Sequence, residues 1–121
     1  MDLGLKNKLA LVTGSTAGIG FAIARGLLEE GAKVVINGRT QLRVDEAVAK
    51  LKSAGDTLGA VGDMSTAAGA AQVVARVKGL GPLDILVNNV GCFEVKPLAE
   101  LEDSDWEAMF QLNVMSAVRM S

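Results

Sequence analysis

The sequence predicts an α/β fold, a doubly wound parallel sheet of about four strands with helices on both faces. Three observations predict it. Short apolar runs recur along the chain, each followed by a segment whose apolar residues repeat at helical spacing. The runs are apolar at consecutive positions rather than alternate ones, which suits strands buried on both faces. Each run also ends in small or polar residues: Thr13-Gly14, Asn37-Gly38-Arg39, Asp63 and Asn88-Asn89. In a parallel sheet all four ends gather on one edge, where such folds hold their ligands.

The elements follow in order. Lys8 to Val12 is the first strand. A helix begins at Gly18, with Ile19, Ile23, Gly26 and Leu27 on one face and Arg25, Glu29 and Glu30 on the other. Gly31 stands at its C-cap. Lys33 to Ile36 is a β-branched second strand, and Asn37 to Thr40 a turn. Val44, Ala47, Val48 and Leu51 then mark a helix closed by Gly55. Thr57 to Val61 is the third strand, and residues 62–65 form its loop. Ala70, Val73, Val74 and Val77 mark a small-residue helix ending near Gly79. Asp84 to Val87 is the fourth strand. After a loop holding Pro97, Ser104-Asp-Trp-Glu107 reads as a capping box that opens a last helix through Trp106, Phe110 and Ala117.

Composition narrows the function. Half of the 121 residues are hydrophobic, only 3% are aromatic and the net charge is −2, with no basic cluster to suggest nucleic acid. No apolar run reaches the roughly 18 residues of a membrane span, and the N-terminus lacks the layout of a signal peptide. The single cysteine, Cys92, makes a reducing, cytoplasmic setting the default; with no histidine to activate it, it reads as a small hydrophobe. There is no His and no Tyr, so two common acid–base side chains and every histidine metal site are excluded.

The stretch from Leu9 to Gly20 is a strand, then glycines at G-x-x-x-G-x-G spacing, then a helix start. Such a turn aims backbone N–H groups and the positive end of a helix dipole at one point, which suits a phosphate. Gly14, Gly18 and Gly20 let the chain bend and let a ligand approach the backbone. About 20 residues beyond such a turn, a dinucleotide site carries an acid for the ribose 2′-OH or an arginine for a 2′-phosphate. Asn37, Gly38 and Arg39 include no acid, and an arginine fork suits a phosphate. NADP(H) is therefore the expected cofactor, with NAD(H) as the alternative.

Thr13 to Gly20, Asp63 after the third strand, Asn88-Asn-Val-Gly91 after the fourth and Asn113 downstream resemble the short-chain dehydrogenases/reductases of the classical type. The resemblance runs the length of the chain; Val90 departs from the alanine usual there. It implies a Rossmann-type domain of which residues 1–121 are the N-terminal part, with no second domain. It implies that Gly14, Ser15, Thr16, Gly18, Ile19 and Gly20 form the cofactor turn. It places Asp63 on the adenine amino group, with the Met64 backbone beside it, and Asn88 on the ribose side, with Gly91 letting the chain pass close. Asn89 reads as a tie between strand ends. Asn113 falls on the apolar stripe of the last helix, as a buried amide, and the resemblance makes it the asparagine of the catalytic tetrad, holding a water in the proton relay.

The implied reaction is hydride transfer between NADP(H) and a small carbonyl or alcohol. The family's serine and Tyr-x-x-x-Lys lie downstream of the asparagine, and the sequence reaches Ser121 without them. These residues are thus expected to be inactive alone, as part of a longer enzyme whose sheet continues. On their own they would leave Asp84 to Val87 as an unpaired apolar edge. Trp106 and the methionines of the last helix read as packing or as a subunit interface, since the family commonly forms homo-oligomers through this helix. The alternative is a non-catalytic nucleotide-binding module stabilised by oligomerisation. A Rossmann-type methyltransferase is disfavoured because Leu9 to Val12 holds no acid.

Overall fold

A computed structural model describes residues 2–91 and 96–121; Cys92 lies outside them. The elements alternate as the sequence predicts: β1 (Leu9–Val12), α1 (Gly18–Glu29), β2 (Lys33–Gly38), α2 (Gln41–Leu51), β3 (Thr57–Val61), α3 (Ala67–Lys78) and β4 (Ile85–Val87). A 3-10 turn (Leu98–Glu100) leads to α4 (Asp103–Phe110), a π-helical stretch (Gln111–Met115) and α5 (Ser116–Met120). The four strands are all parallel, in the order β3-β2-β1-β4. From β1 the sheet therefore grows first toward β3 and then back past β1 to β4, which opens a crevice at the carboxyl ends of β1 and β4.

Both faces of the sheet are buried. Ala10, Val12, Val34 and Ile36 pack with Ala24, Leu28, Ala47 and Leu51 of α1 and α2. Leu9, Leu11, Val35 and Ala60 point the other way, into Ala70, Val73 and Val77 of α3, with Met120 of α5 against them. Successive residues of β1 thus enter two different cores, which is why its sequence shows no polar alternation.

Four expectations are corrected. β2 runs two residues further than its β-branched run, because Asn37 and Gly38 still pair with Ala60 and Val61. β4 begins at Ile85, since Asp84 forms a tie in place of a strand residue: its carboxylate accepts from Leu9 N (2.9 Å) and its N–H donates to Leu9 O (2.9 Å). The capping box lies two residues upstream of Ser104. Glu102 is the N-cap and Asp105 the N3 residue, whose carboxylate accepts from Glu102 N (2.9 Å) and pairs with Lys96 (3.0 Å). Last, Asn113 is exposed, not buried. The apolar stripe it shares is itself exposed at Trp106 and Phe110, and the π-helical stretch that holds Asn113 shifts the spacing beyond Phe110.

Candidate active site

The carboxyl ends of the strands frame an open cleft of about 790 Å³. Of the residues expected to bind the cofactor, Gly14, Thr16, Ile19, Arg39, Asp63, Met64 and Gly91 line it and Gly18 and Gly20 do not, while Asn37, Arg43, Asn89 and Leu112 line it too.

The glycine turn owes its shape to positions that disfavour a side chain, by backbone conformation at Gly14 and Gly18 and by crowding at Gly20. Gly14 and Gly18 have φ of +60° and +61°, in the left-handed region. A Cβ on Gly20 would stand 2.4 Å from both Gly14 O and Asn89 Nδ2. The turn delivers the chain to α1, whose N-cap is Ala17 and which has no side-chain cap. By contrast, the Thr40 hydroxyl accepts from Arg43 N at the start of α2 and the Thr66 hydroxyl from Gly69 N at the start of α3. Of these three helices, α1 is the one whose first N–H groups receive no side-chain cap among the described residues.

Side chains behind the turn hold it. Ser15 is fully buried; its hydroxyl donates to Val12 O (2.7 Å) and accepts from Asn37 N (2.9 Å). It supports the turn from behind and does not line the cleft. Asn37, 1% exposed, accepts from Gly14 N (3.0 Å) and donates to Ala60 O (3.1 Å) and Gly62 O (3.2 Å). One amide therefore joins the ends of β1, β2 and β3. Thr13 does the same across to β4: its hydroxyl accepts from Asn89 N (3.0 Å) and Val90 N (3.3 Å). Asn89 returns a bond from Nδ2 to Gly14 O (3.2 Å), the tie expected of it.

Asn88 is placed elsewhere. It is exposed and donates to the Ser121 hydroxyl (3.2 Å), away from the cleft lining. Signals for the missed residues were present: Asn37 is a lone polar residue closing a β-branched run, and Arg43 lies four residues past Arg39.

At the β3 end, Asp63 accepts from Ser65 N (2.9 Å) and Ser65 Oγ (2.7 Å). The Ser65 hydroxyl does most to hold its carboxyl below the ordinary 3.8; burial opposes this, and the Ser65 N–H and the Arg39 charge add to it. Asp63 is thus a carboxylate at the cleft and not the cap of α3, which Thr66 supplies. Arg119 of α5 donates to Ser65 O (3.0 Å) and also to the Gln111 side chain, so the last helix holds the same loop. Asn113 donates to Met109 O (3.1 Å), and a Cβ on Gly91 would stand 2.8 Å from its Oδ1, which puts its amide beside Gly91 at the cleft. Among the described residues no cluster of His, Cys, Asp and Glu could hold a metal, and no helix is long and apolar enough to cross a membrane.

The family model of the short chain dehydrogenases matches residues 8–121. The chain belongs to that family. The chain is 50% identical over 121 residues to an uncharacterized oxidoreductase, YvrD, of Bacillus subtilis, covering 100% of this chain and 46% of the relative. Its fold matches L-sorbose reductase from Gluconobacter frateurii, solved with NADPH and L-sorbose, with a TM-score of 0.94 and 40% identity. That match covers 99% of this chain and 47% of the reductase. It also matches an NADH-dependent reductase, A1-R′, responsible for alginate metabolism, with a TM-score of 0.87 and 32% identity over 97% of this chain and 49% of that one. The chain spans about half the length of the relatives it matches.

Proposed function

We propose that these residues are the cofactor-binding part of an NADP(H)-dependent oxidoreductase acting on a small carbonyl or alcohol. The observation that carries the cofactor choice is the end of β2. Arg39 and Arg43 both line the cleft there, and Asn37 to Thr40 include no acid. One solved relative is complexed with NADPH and another is an NADH-dependent reductase, so the family leaves the choice open and these local residues support NADP(H). Two guanidinium groups attract a 2′-phosphate, where an acid would repel it.

In this reading the dinucleotide, when bound, supplies or takes up the hydride. The uncapped start of α1 and the turn from Gly14 to Gly20 hold its diphosphate. Asp63 accepts from the adenine amino group, with the Met64 main chain beside it, and Gly91 admits the nicotinamide end. Asn113, beside Gly91, is assigned to the proton relay. The residues form the N-terminal part of one dinucleotide-binding domain. A homo-oligomer goes with the reading: Trp106, Phe110, Val114 and Val118 recur every fourth residue and are 44–62% exposed, an apolar stripe suited to a second copy. So does a cytoplasmic location, from the single cysteine of the sequence.

Calorimetric titration of the whole protein that carries these residues tests the choice. Arg39→Ala removes a charge-assisted contact, which weakens NADP+ binding about tenfold or more and leaves NAD+ binding unchanged. Preference of the unaltered protein for NAD+, or unchanged NADP+ affinity in the variant, would refute it.

A further inference from the structure

The absence of an acid at the end of β2 has a steric counterpart in the phosphate turn. Gly38 is buried, is the last residue of β2 and lines the cleft beside Arg39. Its φ lies outside the left-handed region, so its backbone conformation does not itself call for glycine. Packing is what excludes a side chain. A Cβ on Gly38 would stand 2.5 Å from Thr16 Cγ2 and 3.1 Å from Val44 Cγ2, while the Thr16 hydroxyl is 3.6 Å away. The severe overlap is with one methyl group.

That methyl belongs to the glycine turn, 22 residues upstream of Gly38 (38 − 16). Thr16 has a β-branched side chain with few χ1 options, and Val44 bounds the same space from the first turns of α2. We infer that Thr16 and Gly38 act as a coupled pair that sets dinucleotide choice: the Thr16 methyl closes the space from which an acid at position 38 would reach the ribose. Exclusion of an acid, and with it of NAD(H) preference, is then written in the phosphate turn as well as at the strand end. This rests on the dinucleotide reading above and adds the residue that enforces it. It also explains why the conservative change to serine is informative, since Thr16→Ser removes the obstructing methyl and keeps the hydroxyl.

The test is a double-mutant cycle in the whole protein, using Thr16→Ser, Gly38→Asp and the two together, with Kd measured for NAD+ and NADP+. Gly38→Asp alone loses NADP+ affinity and gains little for NAD+, whereas the double variant binds NAD+ about tenfold more tightly than Gly38→Asp alone, a coupling expected of residues in contact. NAD+ affinities of the single and double variants within twofold of each other would overturn the inference. Melting of Gly38→Ala and of Thr16→Ser/Gly38→Ala reads the same overlap without any cofactor. Gly38→Ala melts several degrees below the unaltered protein, and Thr16→Ser restores most of the loss. Melting of Gly38→Ala level with the unaltered protein would overturn the pair even if NADP+ binds. Failure of the unaltered protein to bind either dinucleotide, with the melting result intact, would instead refute the cofactor reading.

Discussion

Changing Asn37 to aspartate replaces one amide nitrogen by oxygen, and its cost follows from the hydrogen bonds of that amide. In the native protein Oδ1 accepts from Gly14 N, and Nδ2 donates to Ala60 O and Gly62 O at 3.1 and 3.2 Å. The carboxylate created this way keeps the first bond and loses both donors. Its second oxygen then faces two carbonyl oxygens in a place that is 1% exposed. Losing the two Nδ2 bonds and facing both carbonyls with a charged oxygen costs about 1–3 kcal/mol each, partly offset by a stronger bond from Gly14 N to a charged acceptor. The expected loss of stability at pH 8 is about 3 kcal/mol. Burial and the facing carbonyls raise the pKa of the new carboxyl above its unfolded value of about 3.9. An acid raised in the folded state destabilises most above its folded pKa, and the penalty fades as pH falls toward the unfolded value, because the protonated acid regains a donor. Urea unfolding of the unaltered protein, Asn37→Asp and Asn37→Leu at several pH values between 5 and 8 would measure this. The aspartate variant should approach the unaltered protein on acidification, and the leucine variant, with no proton to gain, should stay at a fixed deficit. A deficit for the aspartate variant below about 1 kcal/mol at pH 8, or one independent of pH, would refute the account of Asn37 as the tie between three strand ends.

Other outcomes follow from single groups. The Thr57 hydroxyl is fully buried and has no hydrogen-bond partner among the described residues, so Thr57→Val should stabilise the protein by about 1 kcal/mol in the same urea experiment; a loss would show that the hydroxyl is satisfied. Ser65→Ala removes the largest cause of the low Asp63 pKa, so the Asp63 carboxyl should titrate closer to 3.8 by carbon NMR. Because a depressed native pKa gives stability that is present above the unfolded value and lost as pH falls through the native one, Ser65→Ala should also lose stability at neutral pH and little in strong acid. An unmoved Asp63 titration would refute that assignment.

The sequence reveals what is local. β1 and β2 were legible because strands buried on both faces read as unbroken apolar runs, and the glycine turn because its conformation demands glycine at positions that also follow a strand. What escaped depends on residues brought together from a distance. Asn37 looked like a turn residue because its three side-chain partners lie 23 to 25 residues away in the chain. Neighbouring asparagines divided the roles differently from expectation: Asn89 turns to Gly14, while Asn88 faces Ser121. Asn113 is exposed because an apolar stripe on a helix does not say whether anything covers it, and Trp106 and Phe110 on that stripe face solvent. The capping box was misplaced because Glu102 and Asp105, two carboxylates, perform a pairing that the pattern Ser104 to Glu107 advertised.

The tie between Thr13, Gly14 and Asn89 has a consequence for how the protein is made. Gly14 and Asn89 are 75 positions apart, so at roughly 5–20 residues per second the turn waits about 4–15 seconds in synthesis for the amide that braces it. β1, central in the sheet and apolar toward both sides, waits equally long for β4. Only the pairing with β2 is available early, and the support from Asn37 comes with it. The nascent chain therefore holds a half-braced turn until β4 and Asn89 have been made. The segment made first is fully braced only once β4 and the residues that follow it exist.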